Sequence, residues 1–449
     1  MTEIRLEKSL PSEQERVGQP SVPAEGLERY FAREGVDPLP YAFEGKIAVH
    51  PGLGGAGVEK QDFEATLEPL LAEPRTGKTV AYIHVPFCET HCLYCGFYNK
   101  AYREDESRIY ADALIQELRL WRGRPGQDAG PVHAVYMGGG TPTALQADDL
   151  RRILKEVRAV LPLANDCEIT VEGRLSNFGP DKMEACFEGG ANRFSLGVQS
   201  FDTEIRQAMG RVSDRDTLIR QLQLLQSYQD AVIVDLIYGF PMQTMDRWLA
   251  DIATAQSLKL DGADCYQLNV YRNTPLAKAI ESGRLPAGAD VPMQSAMFAA
   301  GVKAMQKGFY RRLSISHWAR TSRERNLYNL YVKGRAHCLA FGPGAGGNLD
   351  GFFYLNQSGT FSKSIVDIGC RRIVICKCIV RSRDDHGHTG MIFFRVHSTV
   401  SYQYTRYIRN RISFTCFHSS GYDSEVPNPF FLHVAFLLGF CRLFLMIVS

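Results

Sequence analysis

Cys88-Glu89-Thr90-His91-Cys92-Leu93-Tyr94-Cys95 sets three thiols within eight residues, at Cys-x3-Cys-x2-Cys spacing. A tight loop with this spacing can aim three thiolates at one metal centre. Iron–sulfur cubes are normally held by four cysteines, and no fourth stands close by. A cube bound here would leave one iron open to a small molecule. A zinc site, with His91 or His84 as fourth ligand, uses the same donors.

Other residues with chemical potential follow strand-length apolar runs. Gly138-Gly139-Gly140-Thr141-Pro142-Thr143 lets a ligand approach the backbone and exposes N–H groups to an anion; taken alone it is also a tight strand–helix turn. Glu172 ends an apolar run, where a carboxylate is more often solvated or ion-paired than functional. Asp235 lies inside Val234-Asp235-Leu236-Ile237-Tyr238-Gly239-Phe240-Pro241, where burial without a partner is costly. It should therefore contact a ligand or a cation. Gln199 and Arg211 follow a fourth run; an amide suits hydroxyls and a guanidinium suits a carboxylate.

These groups need a frame that gathers them at one end. From Val80 a strand–helix rhythm begins. Residues 80–85, 132–137, 168–172, 193–198, 232–238 and 264–270 read as strands. Between them lie helical faces such as Tyr110, Leu114, Leu118 and Trp121, or Leu150, Ile153, Val157 and Val160. Alternation of this kind predicts an α/β fold with a parallel sheet. A partial (β/α)6 barrel, a complete (β/α)8 barrel and a doubly wound sheet all satisfy the rhythm. The polar residues favour a barrel, because each falls at or near the C-terminal end of a strand, where such folds place their chemistry.

Tyr82-Ile83-His84-Val85-Pro86-Phe87-Cys88, with Cys92 and Tyr94-Cys95-Gly96-Phe97-Tyr98, resembles the cluster loop of the radical S-adenosylmethionine (SAM) enzymes. Within them it is similar to the branch of oxygen-independent coproporphyrinogen III oxidase. Thr90-His91-Cys92 with Cys95-Gly96-Phe97-Tyr98 looks most like the anaerobic haem-utilisation members (HutW/ChuW type). The resemblance extends through Arg193–Phe201, Val234–Pro241, Ser314–Arg320 and Phe341–Gly347, and covers Val80 to about Tyr354. It implies a partial (β/α)6 barrel and a [4Fe–4S] cluster held by Cys88, Cys92 and Cys95. The open iron would chelate SAM, whose cleavage yields a carbon radical. It also implies SAM contacts from Tyr82, Tyr94, Gly138, Gly139, Gly140, Thr141, Glu172, Gln199, Arg211, Asp235 and Tyr271. The family usually continues Glu-x-x-Pro where this chain reads Glu172-Gly173-Arg174-Leu175.

The expected activity is anaerobic ring-opening methyl transfer to haem with release of iron, fed by a flavodoxin- or ferredoxin-like electron donor. Coproporphyrinogen oxidation and non-catalytic haem chaperoning are the alternatives. His317 stands beside the expected porphyrin pocket, as a structural histidine, an iron ligand or a proton donor.

The 449 residues suggest two or three domains. Hydrophobic and charged contents of 45% and 22% are those of a soluble globular protein. A net charge of +2 gives no nucleic-acid footprint. Twelve cysteines and no apolar signal core at the N-terminus predict metal ligands or buried thiols in the cytoplasm. Residues 1–78 form an N-terminal extension. Within it, 11–26 read as a mobile arm, 27–33 as a short helix and Gly52–Gly57 as a flexible connector. Residues 79–359 form the catalytic domain.

After Gly359 the character changes. Of 51 Lys+Arg and 49 Asp+Glu, 11 and 5 fall there, so net charge runs from −4 before the break to +6 after it. Alanine occurs once, at Ala435, and Cys and Phe become dense. The terminal run 430–449 is nearly long enough to span a bilayer, but His433 and Arg442 within it argue against a membrane anchor. Out-of-frame translation accounts for the shift, and predicts that residues 360–449 are a disordered tail and not the family's C-terminal domain.

Overall fold

Six apolar runs become six parallel strands, each fed by a helix. The computed structural model describes residues 62–272, 274–334 and 336–356, with a few short strands beyond. The strands are β1 (Thr79–Val85), β2 (Val132–Gly139), β3 (Leu163–Gly173), β4 (Arg193–Gln199), β5 (Ala231–Tyr238) and β6 (Gly262–Gln267). Beyond them lie β7 (Arg311–Arg312), β8 (His317–Ala319), β9 (His337–Phe341), β10 (Gly346–Leu349), β11 (Phe352–Asn356) and β12 (Ile373–Val374). All twelve share one sheet, in the order β12-β11-β10-β9-β1-β2-β3-β4-β5-β6-β8-β7. The central seven, β9 through β6, are parallel. The outer strands on both sides are antiparallel.

Against expectation, β3 begins five residues before Glu168, and β6 stops at Gln267 instead of Val270. Pairing with β5 ends at Tyr238 opposite Gln267, and the Leu268 N–H bonds Tyr238 O at 2.9 Å. The seventh parallel strand, β9, has no counterpart in the sequence rhythm. It arrives after a non-repeating stretch, and only pairing with β1 makes it a strand of this sheet.

Helices α2 (Glu104–Trp121) and α3 (Ala147–Val160) bury the faces that periodicity predicted: Tyr110, Leu114, Leu118 and Trp121 in one, Leu150, Ile153, Val157 and Val160 in the other. Acidic residues open both helices and an arginine lies in each last turn, which complements the helix dipole. These faces and the strand residues beneath form one continuous apolar core. A smaller cluster of Val80, Ala134 and Cys338, packed by Leu327, Tyr328 and Tyr331, lies near the N-terminal ends of β1, β2 and β9. It leaves the C-terminal ends for chemistry.

The last part of the N-terminal extension belongs to the same body. Leu67 and Leu71 of helix α1 (Phe63–Ala72) join the core, and the Arg75 guanidinium donates to the carbonyls of Gly126 and Gln127, both at 2.5 Å. The expected arm, short helix and glycine-rich connector before residue 62 lie outside the described residues. So does nearly all of the expected tail. A second unit (Gly54–Gly57, Lys377–Ser449) contains two antiparallel strand pairs, Val380–Arg383 with Thr389–Ile392 and Arg395–Val396 with Phe414–Thr415. Among the described residues no helix is long and apolar enough to cross a membrane.

Glu117 of α2 ties this helix to the segment after β9, accepting from the Gly342 N–H at 2.9 Å and the Asn356 amide at 3.0 Å. Burial pushes its carboxyl up to about 7, against the pull of those two donors. The folded protein therefore keeps this proton up to about pH 7, whereas an unfolded glutamate releases it near pH ~4.3. Across that window the unfolded chain binds fewer protons, so stability falls as pH rises, and levels off above about 7. Glu117→Gln removes this contribution. The melting temperature of the variant relative to the parent should rise between pH 5 and 7 and stay constant above. An identical slope in both proteins would refute the assignment.

Candidate active site

The three thiols lie on the loop after β1. Cys88 sits in a two-residue bridge, Phe87–Cys88 with Lys100–Ala101, and its carbonyl accepts from the Tyr102 N–H at 2.8 Å. The Cys95 N–H closes the loop on Cys92 O at 3.1 Å. Leu93 anchors its middle, donating to Met209 O and accepting from the Leu276 N–H. Each sulfur faces a donor. Thr141 Oγ1 donates to Cys88 Sγ at 3.4 Å, the Phe97 N–H donates to Cys95 Sγ at 3.4 Å, and the Arg211 cation lies beside Cys92. Burial raises the Cys88 thiol, while Thr141 and the nearby Arg174 cation work in the opposite direction.

Among the described residues no three His, Cys, Asp or Glu are gathered at metal-chelating distances. The thiols share one neighbourhood without forming a finished coordination sphere. Their chemistry nonetheless fits an iron–sulfur cluster: soft sulfur donors, each beside an N–H or O–H that would stabilise thiolate or cluster sulfide. The imidazoles considered for zinc have other partners. His91 stacks on Tyr98 with centroids 4.2 Å apart. His84 Nδ1 is 3.0 Å from the Tyr82 hydroxyl, and its Nε2 is 3.4 Å from the Asn99 amide.

The glycine run after β2 lies directly behind this loop. The Gly140 N–H bonds Val85 O at 2.7 Å and the Thr141 N–H bonds Phe87 O at 2.6 Å. Gly138 and Gly139 cannot carry side chains. A Cβ on Gly138 would sit 2.5 Å from Glu172 Oε2; one on Gly139, whose φ is +107°, would sit 2.5 Å from His84 Nδ1. Glu172 Oε2 accepts from the Gly139 N–H at 3.2 Å. Burial first, and Asp235 second, push the Glu172 carboxyl up to about 8.

On the neighbouring strands, Asp235 pairs in register with Gly197 of β4 and Asp264 of β6, and Ser195 Oγ donates to it at 3.4 Å. Burial and the Asp264 charge shift Asp235 upward. Gln199 ends β4 in a left-handed conformation (φ +73°), with its buried Oε1 unpartnered. Its amide nitrogen and the Arg211 guanidinium both crowd the α-carbon of Gly197. Arg211 donates to Gly197 O at 2.8 Å and to the Tyr94 hydroxyl at 2.9 Å. Tyr271 packs against Gly96, beside Cys95.

The expected contact residues thus fall into two linked groups at one end of the sheet. Tyr82, Gly138, Gly139 and Glu172 stand on the β1–β3 side, with His84, which was not among them, alongside Tyr82 and Gly139. Gln199, Arg211, Tyr94 and Cys92 stand on the β4 side, and Asp235 stands on the next strand, β5, in register with Gly197. His317 is the exception. It is fully buried, with Nδ1 2.6 Å from Asp264 and Nε2 2.8 Å from Glu324. Burial opposes its charge, but the two carboxylates prevail and raise its pKa to about 9. With both nitrogens engaged, it offers no lone pair to a haem iron, and the iron-ligand expectation is withdrawn.

Sequence reasoning missed the residues that brace the site. Arg174 donates to Thr90 O at 3.0 Å and to Thr90 Oγ1 at 2.8 Å, clamping the thiol loop from the end of β3. Asn177 bonds Glu89 alongside. Buried Arg193 grips Glu324 at 2.9 and 3.1 Å. The departure from Glu-x-x-Pro falls on Leu175, next to Arg174, and was the available signal for this turn. Asp264, a carboxylate in an apolar strand, carried the same signal as Asp235.

Comparison with known proteins agrees with this geometry. The model of the radical SAM superfamily matches residues 82–255. Anaerobilin synthase of Escherichia coli O157:H7 is 44% identical over 335 residues, covering 74% of each chain. Heme chaperone HemW of Bacillus subtilis (strain 168) is 29% identical over 276 residues, 60% of this chain and 71% of that protein. The solved structure of the radical SAM enzyme coproporphyrinogen III oxidase from Escherichia coli superposes with a TM-score of 0.59 at 22% identity, over 68% of this chain and 73% of that one. A thiol loop after the first strand, the glycine turn behind it, a matching barrel and 44% identity across three quarters of a relative lead to one assignment: the chain belongs to the radical SAM superfamily, in the coproporphyrinogen III oxidase-like branch.

Proposed function

We propose that this chain is a haem-degrading radical SAM methyltransferase that opens the tetrapyrrole ring without oxygen and releases its iron. The observation that carries this reading is the 44% identity with anaerobilin synthase over 335 residues, 74% of each chain. Cys88, Cys92 and Cys95 would hold a [4Fe–4S] cluster; when bound, it supplies one-electron cleavage of SAM.

The other side chains position the ligand. Gly138, Gly139, Gly140 and Thr141 admit the methionine end to the backbone. Glu172 receives its ammonium group as a carboxylate. Arg211 meets the carboxylate, while Gln199 and Asp235 serve the ribose hydroxyls. Tyr82, Tyr94 and Tyr271 line the pocket and exclude water from it. The electron donor would be flavodoxin- or ferredoxin-like, and the setting cytoplasmic. Residues 360–449 would be out-of-frame sequence; one of the other two reading frames beyond the codon for Gly359 should restore an alanine- and glutamate-bearing helical sequence.

The test is incubation of cluster-reconstituted protein with haem, SAM and a reductant under anaerobic conditions. Loss of the haem spectrum with appearance of free iron is expected. Stable haem binding without turnover would instead identify a chaperone. Vinyl products from coproporphyrinogen would identify an oxidase.

A further inference from the structure

Four buried side chains form an unbroken ion chain behind Asp235. Arg193 holds both oxygens of Glu324. Glu324 Oε1 is 2.8 Å from His317 Nε2, and His317 Nδ1 is 2.6 Å from Asp264 Oδ2. Asp264 is the register partner of Asp235 on the adjoining strand. None of the four is more than 4% exposed.

Ionised carboxylates only accept hydrogen bonds, so a ring flanked by one at each nitrogen must carry protons on both. His317 is then an imidazolium. Arg193 and His317 together balance Glu324 and Asp264. Without the imidazolium, Asp264 would stand as an uncompensated anion one strand spacing from Asp235, and two like charges at that distance suppress each other's ionisation.

We propose that His317 is a positioning residue, a buried cation that cancels Asp264 so that Asp235 presents an ionised carboxylate to the ligand pocket. This rests on the reading of Asp235 as a SAM contact. The groups facing Asp235 are Tyr136 from β2, Glu172 from β3, Arg193 and Ser195 from β4, Asp264 and Tyr266 from β6, and His317 from β8. Glu324, five residues after the end of β8 at Ala319, completes the set through Arg193 and His317. Of the cations in this set, only His317 bonds Asp264 directly.

The experiment measures SAM binding against pH for the cluster-loaded parent, His317→Gln and Asp235→Asn. In the parent, affinity rises as Asp235 ionises. In His317→Gln the midpoint of that rise should move up by at least about one pH unit, which is about tenfold weaker binding below it. Binding should recover at higher pH. Asp235→Asn should lack this component altogether. Weakening of His317→Gln by the same factor at every pH, or no change, would overturn the inference while leaving the SAM site standing. An Asp235→Asn protein that binds like the parent at all pH values would instead remove Asp235 from the site. Because the His317 variant can misfold, the parent supplies a second readout. The ring nitrogens of His317 should show the 15N signature of the doubly protonated form at pH 7.5, and a neutral tautomer there would equally refute the proposal.

Discussion

Cys88→Ala is expected to abolish cluster incorporation and, with it, all SAM cleavage. Three thiols in one loop are the minimum for a cube with a single open iron, so the loss of one leaves two open corners and no stable site. Cys88 is also firmly placed. It is buried, its carbonyl is bonded by the Tyr102 N–H, and its sulfur receives the Thr141 hydroxyl. No other thiol in the described barrel can substitute, since Cys167, Cys186, Cys265 and Cys338 are buried in the body of the fold. Cys338 packs with Val80 and Ala134, at the other end of the strands from the loop. Iron and sulfide analysis with the visible spectrum of the reconstituted variant gives the answer. Full loading of Cys88→Ala would defeat the assignment, whereas replacement of Cys167 or Cys338 should leave cluster content unchanged.

The second large effect belongs to Glu172. In the free protein its carboxyl is raised to about 8 by burial and by Asp235, so at pH 7 it is mostly protonated. A ligand that presents an ammonium group selects the carboxylate, and binding should expel a proton. SAM affinity should therefore climb as pH rises towards about 8, and proton release should shrink above it. Glu172→Gln keeps the shape and an acceptor for the Gly139 N–H but cannot take a charge. A hydrogen bond to a charged group contributes about 1.5–3 kcal/mol, so the variant should bind SAM roughly 10- to 100-fold more weakly. It should lose the share of the proton release that Glu172 supplies and retain its cluster. Unchanged affinity by equilibrium dialysis, or loss of the cluster with affinity intact, would show that Glu172 does not meet the ligand.

The sequence by itself determined whatever is local. Spacing placed Cys88, Cys92 and Cys95 on one loop, and they are on one loop. Apolar runs of strand length located six strands, with errors of a few residues at β3 and β6. The helical period named the buried faces of α2 and α3 before any packing was known. The glycine run announced a close approach, and Glu172 and His84 are what it approaches. These features repeat over two to four residues, because pleat and helix fix side-chain direction at that range.

Only the tertiary structure decided what crosses the sheet. Arg174 meets Thr90 across 84 positions, Arg211 meets Tyr94 across 117, and Arg193 meets Glu324 across 131. No periodicity links such partners. Their pairing follows from strand order and register, which β9 exemplifies: a short run of no distinctive pattern joins the parallel sheet because β1 offers it a free edge. His317 marks the boundary most clearly. As a residue in a sequence it was more often a piece of packing than a ligand or a proton donor. Two carboxylates, brought to its two nitrogens from β6 and from the loop after β8, make it a buried cation. That charge state is set by the neighbours the fold supplies, since an imidazole titrates near neutrality until its surroundings choose for it.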